Sequence, residues 1–167
     1  MNQPTQIHSS LLTATTVHQL VKPSSILPCW QVKRGYGTFL TLDMGERVSK
    51  KKKDGSKYLQ GSVHLWIYLC DWRVLCEAVE IASSETIDSE EISGNINQLL
   101  GKRLLDIQFD KEEQDVSLIF SDNYTIVLSR DDDKFDADDD FFKLFLPDET
   151  VIGCTSRGLY CERDDSK

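Results

Sequence analysis

The segment GSVHLWIYLC places the tightest limit on what this chain can fold into. Val63, Leu65, Ile67 and Leu69 alternate there with His64, Trp66, Tyr68 and Cys70. A period of two is the period of a β-strand, whose successive side chains leave opposite faces. Large side chains on both faces predict a central strand, covered on both sides. The alternation recurs at Leu40, Leu42 and Met44, at Leu105, Ile107 and Phe109, and at Val116, Leu118 and Phe120. A chain built this way is expected to be mainly antiparallel sheet.

The connections read as turns. Arg34-Gly35-Tyr36-Gly37 suits a tight hairpin, because glycine accepts a positive φ without steric cost. Residues 46–61, with four consecutive lysines before Asp54-Gly55, read as an exposed loop or hairpin tip. Ser121-Asp122-Asn123 makes a further short turn, and more strands are expected within FFKLFLP, TVIGCTS and GLYCER. Trp72, Leu75, Cys76 and Val79 fit helical spacing as well as a strand. Their Val- and Ile-rich surroundings favour a second strand over 72–81.

Two helices are expected. One runs from an Asp88 or Ser89 cap to Gly101, with Ile92, Ile96, Leu99 and Leu100 as its buried stripe. The other lies in an acid-free N-terminal arm, residues 1–25, where Leu11, Leu12, Val17, Leu20 and Val21 line one side after a Ser9 or Ser10 cap. The arm is either a docking helix or a frayed end. The fold predicted is α+β: a curved antiparallel sheet or roll with one helix packed on it and a short N-terminal helix. Residues 26–163 form its single domain, and 164–167 a frayed tail.

At 167 residues the chain is long enough for one substantial core. Its formal charge is 19 − 28 = −9, which speaks against a general nucleic-acid binder, since phosphate contacts need a basic surface. It lacks an apolar run of the roughly 20 residues that cross a bilayer. The N-terminus lacks the basic start and apolar core of a secretory signal, so a cytoplasmic protein without a membrane partner is expected. Cys29, Cys70, Cys76, Cys154 and Cys161 then read as reduced, mostly buried thiols, because their spacing matches no zinc knuckle.

Catalytic signatures are missing from the sequence. His8 and His18 fall in the arm, His64 falls in an apolar strand, and there is no Gly-x-Ser-x-Gly elbow. Gly35-x-Gly37 is followed by strand rather than helix, which removes the dinucleotide reading. Asp122 with Asp132-x-Lys134 resembles a metal-nuclease set, yet so many aspartates make a chance match easy. An EF-hand loop starting at Asp136 would need Gly and Glu where Phe141 and Pro147 stand. Neither metal nor cofactor is expected, and the chain is read as a non-enzyme.

Charge layout is the remaining signal. Residues 105–140 hold 13 acids and three bases, and seven of those acids are Asp131, Asp132, Asp133, Asp136, Asp138, Asp139 and Asp140. Like charges in such a block repel and stay solvated. The same block offers a basic protein an electrostatically complementary surface. The run at residues 50–53 has a plainer reading as a turn that keeps a strand edge soluble, against an anion or RNA patch.

The order of signals from Trp30 to Cys161 resembles a family of small uncharacterised bacterial proteins found among the immunity and accessory proteins of conflict systems. The matching residues are 35–42 with Gly45, then His64-Leu65-Trp66-Ile67, Trp72-Arg73, Ser83-Ser84, Leu100-Gly101-Lys102, 118–122, and Leu146-Pro147-Asp148. These are turn and core positions, so the resemblance implies no catalytic residue. Its implication is an immunity or inhibitor protein that neutralises a basic toxin or effector by protein–protein contact, or otherwise an accessory or metal-dependent effector of a defence system.

Overall fold

The computed structural model describes residues 11–86, 89–131 and 133–164. The described strands are β1 Cys29–Arg34, β2 Leu40–Lys51, β3 Lys57–Ile67, β4 Asp71–Cys76, β5 Val79–Ser83, β6 Leu104–Asp110, β7 Asp115–Phe120, β8 Tyr124–Ser129, β9 Phe142–Phe145, β10 Thr150–Thr155 and β11 Gly158–Arg163. They form a six-stranded sheet in the order β1-β2-β3-β9-β10-β11 and a five-stranded sheet in the order β5-β4-β8-β7-β6. Every pairing between them is antiparallel. The expected antiparallel α+β character is therefore present, but as two sheets rather than one curved sheet or roll.

The alternation explains the core. Leu40, Leu42 and Met44 of β2, Val63, Leu65 and Ile67 of β3, Trp72 and Val74 of β4, and Ile126 and Leu128 of β8 are all essentially inaccessible and belong to one hydrophobic cluster. The inner faces of both sheets thus feed one core, the arrangement a two-layer β protein needs. Trp72 also joins the layers through polar atoms. Its indole N–H donates to the Thr38 carbonyl at 2.7 Å, while its backbone exchanges hydrogen bonds with Ser84. Arg34, at the end of β1, reaches the Ser84 and Thr86 carbonyls beyond β5.

Several local expectations change. Residues 46–51 and 57–61 are strand, not loop: β2 and β3 run on as a two-stranded ribbon whose turn lies at 52–56. A bulge between Met44 and Arg47 leaves Asp43 to accept the Gly61 amide at 2.8 Å. A side chain at Gly61 would strike the Met44 backbone there. Residues 72–81 hold two strands joined at Glu77 and Ala78, both with positive φ. A two-residue hairpin loop of that hand is usually signalled by Asn or Gly; Glu-Ala hides it. In β6 a bulge between Leu104 and Asp106 buries Leu104 and Ile107 and turns the expected Leu105 outward.

The helices are short. α2 spans Ser89–Ile96 and continues as a single 3₁₀ turn, Asn97–Leu99, before Gly101 at φ 82°. Ile96 and Leu99 are buried, but Leu100 is 43% exposed because the chain has already left the helix. Asp88, one of the two expected caps, and the side chain of Ile92 lie outside the described set. α1 spans Ala14–Val21 with Thr13 as its N-cap, accepting the Thr16 amide; the expected caps Ser9 and Ser10 lie outside the described residues. Val17 and Val21 are fully buried, α1 packs on β6, and the Leu12 amide bonds the Leu159 carbonyl at 2.7 Å. Of the two readings of the arm, residues 11–25 follow the docking helix. No helix among the described residues is long and apolar enough to cross a membrane.

The two tryptophans of the most apolar stretch, Trp66 and Trp72, divide. Trp72 is fully buried; Trp66 is only partly covered, on the outer face of β3. Trp72→Ala should cost about 3–5 kcal/mol, and Trp66→Ala about 1–2 kcal/mol, both read from urea melts. Equal costs would contradict the assignment of faces.

Burial also sets a pH dependence. It pushes the thiols of Cys29 and Cys154 up from 9.0 to about 12, and that of Cys70 up as well. The unfolded chain loses these protons first, so stability is complete below about pH 9 and falls as pH rises towards 12. Urea midpoints should drop between neutral pH and about pH 10. Changing Cys29 and Cys154 to Ala should flatten that slope.

Candidate functional site: the outer face of the six-stranded sheet

Antiparallel strands with one buried face ordinarily turn a polar face to water. The five-stranded sheet does so. Arg73, Val127, Ser117 and Gln108 stand side by side on its outside, exposed or half-buried. The six-stranded sheet departs from the pattern. Across its outer face the register sets Lys33, Thr41, Trp66, Lys143, Gly153 and Tyr160 in one row, and Gln31, Asp43, His64, Phe145, Val151 and Glu162 in the next.

The aromatic members of this face touch one another. Trp66 and Tyr68 stack with centroids 4.5 Å apart, and Phe39 meets both edge-on at 6.2 and 6.3 Å. His64 and Phe145 lie 6.0 Å apart. Phe39, His64, Trp66, Tyr68, Phe145 and Tyr160 are all half-buried. Gly153 has a reason to be glycine, because any Cβ would run into the Tyr160 ring lying across it. Aromatic groups with a polar tip at the edge of water are the residues that anchor protein interfaces.

At one end the face meets the acidic loop, residues 131–140. Asp140 turns back onto the sheet, where it accepts the Tyr68 hydroxyl at 3.0 Å and the Tyr160 hydroxyl at 2.5 Å, with the Lys143 ammonium at 3.9 Å. Burial and the adjoining Asp140 carboxylate hold both phenols protonated well above their usual range. Arg130 fixes the base of the loop. Its guanidinium donates to the carbonyls of Leu69 (3.0 Å), Asp136 (3.2 Å) and Asp139, and stacks 4.0 Å over the buried Phe141 ring. The loop folds on itself as Asp131 accepts the Asp133 amide and Asp139 the Asp136 amide.

At the other end lies a cleft of about 310 Å³ lined by residues including Glu46, Lys50, His64, Phe145 and Glu149. Of these lining residues, His64 meets the buried Asp43 carboxylate through Nδ1 at 2.7 Å. A carboxylate only accepts, so Nδ1 carries the hydrogen of this bond.

The expected aspartates separate into two groups. Asp131, Asp133, Asp136 and Asp138 are exposed, with Asp138 paired to Arg157 at 3.1 Å and Asp131 3.9 Å from Lys134. Asp139 and Asp140 are half-buried and hold the loop in place; Asp132 lies outside the described residues. Of the nuclease-like set, Asp122 pairs with Lys102 at 2.8 Å and Lys134 neighbours Asp131, while Asp132 lies outside the described residues. Among the described residues no three His, Cys, Asp or Glu side chains are grouped to hold a metal ion. The aromatic face was in the sequence as His64, Trp66 and Tyr68. It reads there as a second buried face, because alternation reports side-chain size and not what covers it.

Arg130→Ala should leave the Leu69 and Asp139 carbonyls without this donor, while the Asp136 carbonyl keeps the Asp139 amide. A cost of about 2 kcal/mol or more is expected, together with faster amide exchange across 131–141 and normal exchange in β4 and β8. Uniform loss of protection would instead make Arg130 a residue of the core.

No protein-family model, curated protein or solved structure matches this chain.

Proposed function

We propose that the chain is a non-enzymatic binding protein of immunity or inhibitor type, which holds a basic protein partner, a toxin or effector, against the outer face of its six-stranded sheet. The supporting observation is a half-exposed aromatic cluster, Phe39, Trp66, Tyr68 and Tyr160, continuous through Asp140 with a loop of exposed aspartates. Specific interfaces combine an aromatic centre with a charged rim. Here the rim carries Asp131, Asp133, Asp136 and Asp138, the sign that suits a cationic partner. The family resemblance in the sequence agrees with this reading, and a cytoplasmic location goes with it.

The division of labour is testable. Asp133, Asp136 and Asp138 changed together to Asn should slow association with a partner captured from the native host. The wild-type rate should itself fall as salt rises, because screening shortens the reach of the field. Trp66→Ala should act on dissociation, speeding it at least about tenfold if the ring is an anchor of the usual strength. Unchanged rates in both variants would remove this face from the interface.

A further inference from the structure

The β2–β3 ribbon is the second unusual charge feature. Beyond Met44, β2 has no partner except β3; before His64, β3 has none except β2. Among the described residues, 47–61 therefore leave the sheet as a ribbon whose strands pair only with each other. Residues 47–57 carry six bases, Arg47, Lys50, Lys51, Lys52, Lys53 and Lys57, against Asp54, a local balance of 6 − 1 = +5 in a chain of −9. Among the described residues none of these five lysines makes an ion pair; Lys52 lies 6.0 Å over the Tyr58 ring. Val48, Tyr58 and Leu59 add exposed apolar surface, at 38%, 41% and 49%.

The matching opposite charge is on the same molecule, out of reach. The ribbon leaves the start of β3, whereas the acidic loop is tied to its end through Tyr68 and Leu69. Nine or more residue steps of strand, about 30 Å, separate the five lysines from that end, since Lys50 stands opposite Tyr58. That exceeds the screening length of about 10 Å at 0.1 M salt, so the two poles cannot neutralise each other within one chain. Asp133 and Asp136 likewise have no cationic partner among the described residues.

We infer that the basic ribbon docks on the acidic loop of a second copy of this chain. This rests on the reading of that loop as a binding surface and adds its regulation: a neighbouring copy covers the loop until a more basic partner displaces it. The contact is head to tail, so each copy keeps one free ribbon and one free loop. Repetition then gives open chains rather than a closed dimer. The negative charge of the whole molecule opposes association and keeps it weak.

Sedimentation equilibrium over a range of concentrations tests this. Wild-type average mass should keep rising with concentration instead of levelling at a dimer. The association should weaken at least about tenfold between about 0.1 M and 1 M salt. Ribbon reversal, Lys50→Glu, Lys51→Glu, Lys52→Glu and Lys53→Glu together, should give a monomer. Loop reversal, Asp133→Lys, Asp136→Lys and Asp138→Lys together, should do the same. An equal mixture of the two variants should associate again, because each supplies the charge that the other lacks; misfolding could not give that recovery. Ribbon reversal leaves the loop intact, so association that survives it overturns this inference without touching the proposed partner site. A wild-type protein that stays monomeric, or a ribbon that captures heparin while the protein remains monomeric, overturns it as well.

Discussion

Strand β3 carries the constraint on which the rest depends. Its inward residues Val63, Leu65 and Ile67 are sealed in the core, so the pleat must send His64 and Trp66 to the other side. A slip of one residue would bury the imidazole and expose the aliphatic side chains. The inner packing therefore fixes which side chains the outer face displays. Neighbours in register complete that face: Asp43 beside His64, and Lys143 beside Trp66.

A second consequence follows from where β3 ends. Just past Ile67 the chain turns into β4, and Arg130 at the end of β8 bonds the Leu69 carbonyl in that turn. The same guanidinium holds the carbonyls of the aspartate loop. One cation at its base thus offsets part of the repulsion among seven aspartates and sets the loop beside the aromatic cluster. A charge-assisted bond to a carbonyl is stronger than a neutral one, which suits a segment that would otherwise spread apart.

Much of the fold could be read from the residues. The alternations at 40–44, 63–67 and 116–120 gave strands with the right inward faces, and Asp54-Gly55 marked a true hairpin tip. The failures share a cause, which is that long-range partners overrode local pattern. Bulges at Met44/Arg47 and at Leu104/Asp106 shift the register; Gly45, at φ 76°, marks the first, whereas no glycine marks the second. The Lys-rich stretch looks like loop because its strand has no sheet partner on its outer edges. Trp66 and Trp72 look alike in sequence, and only the assembly of two sheets decides that one is core and the other surface. Of the site, the aspartates were visible as a block. The inward role of Asp140 and the anchoring by Arg130 depend on Tyr68, Tyr160 and Leu69, which are remote in the chain.

The binding account is tested most directly by a footprint of the bound partner. Backbone amide and indole signals of the isotopically labelled protein should be followed as the captured basic protein is added. The account predicts shifts at Trp66, Tyr68 and Tyr160 and through residues 131–140, with Arg73, Ser117 and Val127 unmoved. A footprint centred on the outside of the five-stranded sheet, with the Trp66 indole unchanged, would contradict it.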